Sequence, residues 1–350
     1  MKILTMVYVT IFTILGLFLL SGMVLGYILS APVYQGNKSD HFNGNQFVNP
    51  GNVEEKGLKD VIKWAMNRDP GSWENTNENI TYNPFLDQST DSTSKIYFIN
   101  HSSFLIQLGK YNLLTDPVWS DRVSPFEWIG PQRKRPPGIK FEELPQIHFV
   151  LISHNHYDHL DIATIKRLKE RYNPIIIAPL GIPAYLKTKG IDRQFAMDWW
   201  EETQLNDEIS IACVPAQHFS GRGMFDRNKT LWAGYVIQSN FGNIYFAGDT
   251  GYGDFIKQIG VRYSPIDLAM LPIGAYLPRW FMSPIHTSPE EAVRIHQDLQ
   301  AKKSVAMHFG TFPLGDDGMT QPQEDLMKAK IKYDVDQFLV LNEGESIILE

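Results

Sequence analysis

Just after residue 153 the chain reads His154-Asn155-His156-Tyr157-Asp158-His159, three imidazoles and a carboxylate within six residues. Along a regular helix those side chains diverge. In a loop that leaves a strand and opens a helix they can converge on one point. Imidazole nitrogen with carboxylate oxygen is a donor set that suits zinc or iron. Three further candidates follow, each just beyond an apolar run of strand length: His218 after residues 209–215, Asp249 after 244–247 and His308 after 304–307. Taken singly, each has a structural reading as a satisfied core or turn residue. Together with the first cluster they make seven donors, enough for two cations if one donor is shared. A carboxylate bridges two cations readily, so Asp249 is the expected shared ligand. Two cations about 3.5–4 Å apart can share an activated water and clamp both oxygens of a displacement.

Other residues stand beside this set. His286 lies outside it, in the loop before a capping box, and is the candidate to protonate a leaving oxygen or to bond a phosphoryl group; with Asp158 it makes the expected catalytic pair. Asp116, just past a strand end, can accept the second N–H of a ligating imidazole. Arg133, Lys134 and Arg135 are the densest basic run of the chain; beside a membrane such a run can meet lipid phosphates. Arg133, Tyr276, Arg279 and Trp280 are the expected substrate contacts. Trp199-Trp200 reads as core, and the loop aromatics Tyr276, Trp280 and Phe281 as the lining of an apolar groove or as further packing.

These residues need strands to carry them. Strands are predicted over 95–100, 104–108, 111–115, 149–153, 175–178, 209–215, 231–239, 244–247, 268–273 and 304–307, with Gly109-Lys110 as a hairpin turn and a closing hairpin of 338–341 with 346–349. A helix is predicted over 161–172, and Ser288-Pro289-Glu290-Glu291 is a capping box opening another to about residue 299. Antiparallel strands first, then strands alternating with helices, predict two mixed sheets with helices outside.

The 350 residues include 32 Lys plus Arg against 39 Asp plus Glu, a net charge of −7. That balance excludes a nucleic-acid binder with a basic face, and the single cysteine, Cys213, excludes an internal disulfide framework. No charged residue occurs between Lys2 and Lys38, and residues 3–29 are almost wholly apolar. Such a run exceeds the roughly 20 residues a bilayer span needs, and Leu29-Ser30-Ala31 is a poor cleavage site, so a retained transmembrane anchor is expected rather than a signal peptide. Lys2 before the span leans the N-terminus towards the cytoplasm and the body towards the exported side. Residues 31–94, rich in Asn, Gly, Asp, Ser and Thr, read as a tether and arm with one amphipathic helix over 58–66; residues 95–350 read as one α/β domain.

The His154–His159 motif with the later His, Asp and His resembles the metallo-β-lactamase superfamily. The resemblance implies a four-layer αββα sandwich with a binuclear zinc site: His154, His156 and His218 on one ion, Asp158, His159 and His308 on the other, and Asp249 between them, with iron as an alternative at one position. From about Asp40 onward the chain is more narrowly similar to the N-acyl-phosphatidylethanolamine-hydrolysing phospholipase D family. The matching stretches include Phe47-Val48-Asn49-Pro50, Leu114-Thr115-Asp116-Pro117, Gly130-Pro131-Gln132-Arg133, Asp198-Trp199-Trp200-Glu201-Glu202 and Pro278-Arg279-Trp280-Phe281-Met282. That implies a membrane-associated zinc phosphodiesterase releasing N-acylethanolamine and phosphatidic acid. The partners it implies are a phospholipid substrate and the membrane, with a homodimer admitted and no nucleic acid. The alternatives are the same site turned to a lactone, a β-lactam or a non-lipid phosphodiester, or a non-catalytic membrane protein with a hydrolase-like body.

Overall fold

The computed structural model describes residues 2–51, 53–74, 90, 92 and 94–349. Helix α1 (Lys2–Leu29) leads the chain and is followed by α2 (Leu58–Met66). Within α1, Tyr8–Leu29 is long and apolar enough to cross a membrane. Fourteen strands follow among the described residues: β1 (Ser94–Asn100), β2 (Ser103–Leu108), β3 (Tyr111–Thr115), β4 (Phe149–Leu151), β5 (Ile175–Pro179), β6 (Gln194–Met197), β7 (Glu202–Gln204), β8 (Ile209–Val214), β9 (Gly234–Ser239), β10 (Gly242–Phe246), β11 (Leu268–Pro272), β12 (Lys303–Met307), β13 (Phe338–Leu339) and β14 (Ser346–Ile348). The remaining helices are α3 (Ile162–Arg171), α4 (Ile182–Thr188), α5 (Phe255–Tyr263), α6 (Arg279–Met282), α7 (Pro289–Asp298) and α8 (Gln321–Tyr333).

The strands form two seven-stranded sheets, ordered β14-β1-β2-β3-β4-β5-β6 and β13-β12-β11-β10-β9-β8-β7. Side chains alternate across the first sheet because successive Cβ atoms of a strand point to opposite faces. Phe98, Phe104, Ile106, Leu113 and Leu151 join the core between the sheets, whereas Ile99, Leu105, Leu114, Val150 and Ile152 join a second core with Ile165 and Leu168 of α3 and Tyr185 and Leu186 of α4. On the second sheet, Phe255 and Ile259 of α5, Val293 and Ile295 of α7 and Leu326 of α8 complete the inner cluster. The result is the expected layering of helix, sheet, sheet and helix.

Local rules set the helix starts. Asp161 caps α3, accepting from the backbone N–H groups of Ala163 and Thr164, and Ser288 with Glu291 forms the predicted capping box of α7 with Pro289 at its first position. The expected closing hairpin does not form. β13 instead runs parallel to β12, with Ser304 opposite Phe338, and β14 runs antiparallel to β1, with Lys95 opposite Ile348. The reason is the edges that need covering: Phe98 of β1 donates to Glu345 O and accepts from Gly344 N, so the chain between the two strands crosses from one sheet to the other. α4, α5, α6, α8, β6 and β7 are absent from the sequence reading; β6 and β7 are short and half-exposed, with little alternation to detect.

The arm is fastened rather than loose where it is described. Phe42 and Phe47 are buried in the inner core, Trp64 of α2 stacks on Phe281 at 5.0 Å, and Arg68 pairs with Asp316 at 2.7 Å.

Candidate metal centre

β3, β4, β5 and β6 are parallel to one another, and β1 shares their direction through its antiparallel pairing with β2. In the second sheet β10, β11, β12 and β13 are parallel, and β8 shares their direction through β9. The carboxyl ends of these strands carry His101 after β1, Asp116 after β3, the 154–159 motif after β4, His218 after β8, Asp249 after β10, His286 in the segment after β11 and His308 after β12. Loops at the carboxyl ends of parallel strands are where open α/β sheets gather their ligands.

The predicted donors converge there as two groups. His159 Nε2 lies 3.2 Å from both Asp158 Oδ2 and Asp249 Oδ2, and His308 Nε2 lies 3.3 and 3.1 Å from the same two oxygens. The edge of a tetrahedron of bonds near 2.0–2.1 Å is about 3.3 Å, so these His–Asp spacings suit ligands of one small cation. On the other side, His156 Nδ1 lies 2.9 Å from His154 Nε2 and 3.2 Å from His218 Nε2. Asp249 Oδ2 is 4.0 Å from His154 and 3.8 Å from His218, and so stands between the groups but nearer the second. His159 Nε2 and Asp249 Oδ1 are buried without an aligned hydrogen bond. A buried imidazole nitrogen and carboxylate oxygen left unbonded among close donors are what side chains aimed at a common cation look like; Asp158, His159 and His308 with His101, and His154, His156 and His218, are each grouped closely enough to hold a metal.

Charge supports the same reading. Burial pushes His154 well below its ordinary range, His156 to about 4 and His218 to about 3, so their lone pairs are free. Burial raises the Asp158 and Asp249 carboxyls, but His159 together with His308, and for Asp158 also His101, outweighs it and holds both well below the usual carboxylate range. Burial lowers His308 too, yet Asp249 and Asp158 carry it up to about 9; His159 is raised in the same way.

Backbone and side-chain partners orient these rings. Asp116 is fully buried; its Oδ2 accepts from His159 Nδ1 at 2.7 Å and from Ser153 Oγ at 2.5 Å, and Ser153 Oγ accepts in turn from His154 Nδ1 at 2.9 Å. His218 Nδ1 donates to Ile285 O at 2.9 Å. The carboxamide of Asn49, from the arm, clamps the His218 backbone: Oδ1 accepts from His218 N and Nδ2 donates to His218 O, both at 2.8 Å. His101 Nε2 donates to Asp158 Oδ2 at 3.0 Å, while its carbonyl accepts from His308 N at 2.8 Å. His101 holds φ +47°, in the left-handed region that a non-glycine residue occupies at a cost.

Sequence reasoning missed Asn49 and His101. His101 follows an apolar strand just as His218 and His308 do, so its signal was present. Asn49 had none beyond its place in a family block, because its partner lies 169 residues away.

The remaining predicted residues divide. His286 joins the cluster: it is 9% exposed, its Nδ1 is 3.9 Å from Asp249 Oδ2 and makes no hydrogen bond, and burial pushes its imidazole down to about 3. Arg279 is engaged internally, donating to Glu291 at 2.7 Å and to the His286 carbonyl at 3.0 Å. The hydroxyl of buried Tyr276 donates to Asp325 at 2.5 Å. Trp280 is 40% exposed with Lys63 over its ring. Arg133 donates to the carbonyls of Val118 and Ser120 and lies against Phe312. Trp199 is core, donating to Trp232 O.

The comparisons follow this geometry. The sequence model of the family described as a beta-lactamase superfamily domain matches residues 111–309. An uncharacterized protein of Mycobacterium tuberculosis is 43% identical over 251 residues, covering 70% of this chain and 66% of the relative, so the match spans just under two thirds of that relative's length. The N-acyl-phosphatidylethanolamine-hydrolyzing phospholipase D 1 of Caenorhabditis elegans is 38% identical over 263 residues, covering 71% of this chain and 74% of its own. The fold matches Igni18, a metallo hydrolase of Ignicoccus hospitalis, with a TM-score of 0.57 at 24% identity over 74% of this chain and 99% of that one. The chain therefore belongs to the metallo-β-lactamase superfamily and, within it, to the N-acyl-phosphatidylethanolamine-hydrolysing phospholipase D family.

Proposed function

We propose that this chain is a membrane-anchored zinc phosphodiesterase of phospholipase D type, hydrolysing N-acyl-phosphatidylethanolamine-like lipids to an N-acylethanolamine and phosphatidic acid. The observation that carries the reading is the pair of donor groups on either side of Asp249, in a chain 38% identical to a relative named for that activity. His154, His156 and His218 would hold one zinc ion and Asp158, His159 and His308 the other, with Asp249 shared and iron as the alternative at one position. Two such ions, when bound, neutralise the single charge of a phosphodiester and activate water.

The chain's own groups supply the rest. Asp158, a carboxylate below its usual range, accepts and orients a hydrogen bond at Oδ2 rather than removing a proton. His286, neutral at physiological pH, has one donor and one acceptor nitrogen to offer a phosphoryl oxygen. Water adds its oxygen to phosphorus, the bond from phosphorus to the ethanolamine oxygen breaks, and the departing alkoxide takes up a proton. α1 serves as the anchor ahead of an arm over 31–94 and a hydrolase domain over 95–350; Lys2 before the span orients the body to the exported side.

The test is turnover by the full chain, zinc-loaded in mixed micelles, on N-acylated phosphatidylethanolamine, phosphatidylcholine, a lactone and a β-lactam, with Asp249→Asn as the inactive control. Faster turnover of the lactone or the β-lactam than of either lipid, or no turnover of any of the four with two metals bound, overturns the reading.

A further inference from the structure

The last turn of α1 is not a free stalk. Met224 N donates to Gly26 O at 3.3 Å, Phe225 N donates to Ser30 Oγ at 3.2 Å, and Ala31 N donates to Asp226 Oδ2 at 2.8 Å. Asp226 is fully buried and also accepts from Gly223 N at 2.8 Å. Met224 lies so close that a Cβ on Gly26 would meet its Cγ at 2.6 Å, so glycine alone permits the contact. Yet Met224 stays 65% exposed and Phe225 47% exposed. Two large apolar side chains are thus held out in solvent beside the end of a helix whose own exposed residues, Val24, Tyr27 and Ile28, are apolar.

Depth decides what covers them. Gly26 precedes Leu29 by three residues, which puts it about 4.5 Å below the end of the helix. An element docked at that level stands at the shallow edge of the roughly 5–10 Å depth to which apolar faces enter the headgroup boundary, within reach of side chains as long as Met and Phe. The same surface carries a cavity close to the metal-binding loop in the chain. Leu29 lines a cavity of 690 Å³ with Phe126, Tyr157, Ile162 and Arg222. Tyr157 sits between His156 and Asp158 in the sequence, and its hydroxyl donates to Arg222 O at 3.0 Å.

We propose that the loop 223–225 is a second bilayer contact, in which Met224 and Phe225 enter the headgroup boundary beside α1 and hold the 690 Å³ cavity against that leaflet. The proposal rests on reading α1 as a membrane span. It makes the anchor an orienting device, since three hydrogen bonds tie the helix end to the loop that leaves His218.

Cys213 is buried and is the chain's single cysteine, so an introduced thiol can be labelled alone. Fluorophores would be placed on Met224→Cys, Phe225→Cys, Leu17→Cys in mid-α1 and Ile331→Cys on α8, each in the full chain in phosphatidylcholine nanodiscs. Quenching by headgroup-level nitroxide lipids, by mid-chain nitroxide lipids and by aqueous iodide is then compared. Positions 224 and 225 should be quenched by the headgroup-level lipid and show a several-fold lower iodide quenching than position 331, while position 17 responds to the mid-chain lipid. If position 17 is in the bilayer but 224 and 225 are quenched by iodide as freely as 331, the second contact is overturned and the anchor stands. If position 17 itself answers only to iodide, the anchor reading falls and this proposal with it.

Discussion

Asp116 Oδ2 accepts from His159 Nδ1 at 2.7 Å, and through Ser153 Oγ the same oxygen also steadies His154. One carboxylate therefore orients a ring in each donor group. Partners of this kind fix the tautomer that leaves the metal-facing nitrogen free, and removing one lowers metal affinity roughly 10–100-fold. Asp116→Ala should weaken both sites, measured by competition with a chromophoric chelator. Unchanged affinity at both would remove Asp116 from the centre.

His101 and Asn49 make a contrasting pair. His101 touches Asp158 and His308, whereas Asn49 holds His218, its Oδ1 also accepting from the Trp232 indole. His101→Ala should release first the metal held by Asp158, His159 and His308, and Asn49→Ala the metal held by His154, His156 and His218. A stepwise chelator titration followed by metal analysis reads the order, with a loss in affinity of roughly 10–100-fold at the affected site. Simultaneous release of both metals in both variants would show that the two groups behave as one.

Metal binding should release protons. His308 is raised to about 9 by Asp249 and Asp158 despite its burial, so near neutrality it carries a proton that a cation must displace. Titration calorimetry in two buffers of different ionisation enthalpy should show release near neutrality that fades as pH rises past about 9. The metal-free protein follows the same sign. A raised histidine stabilises the fold fully below its unfolded value, near 6.5, and that contribution is lost as pH climbs through about 9. Melting of metal-free protein should fall across that window; a flat profile would contradict the assignment.

His286→Ala should retain two metals and lose roughly 10²–10⁴-fold in kcat, the range for a group acting on the reacting atoms. Burial to about 3 leaves the ring neutral, which favours hydrogen bonding to phosphoryl oxygen over protonation of the leaving alcohol. A nitrophenyl diester and the lipid should then slow equally. A much smaller loss for the nitrophenyl substrate would make His286 the proton donor instead.

Much of this molecule was legible in the order of residues. Apolar runs of strand length, each followed by His or Asp, marked the strand ends; the spacing of the 154–159 motif marked a convergent loop; Asp161 and the Ser288–Glu291 box marked helix starts within a residue. These are local properties, written by side-chain alternation and by the hydrogen-bonding needs of helix ends. The closing strands were misjudged because pairing is not local: two neighbouring strands joined by a short turn read as a hairpin, and only the open edges of β1 and β12 sent them to different sheets. Tyr276 shows the same limit, since nothing in the local sequence announces that Asp325, on α8, takes its hydroxyl.

By itself the sequence determined which residues could bind metal and that seven of them followed strands or filled a strand-to-helix loop. Only the tertiary structure decided that Asp249 leans towards His159 and His308, that His101 and Asn49 belong to the centre, and that the end of α1 is tied to the loop after His218. Those facts depend on contacts between residues far apart in the chain, and such contacts exist only once the two sheets have packed and brought their carboxyl ends to one edge.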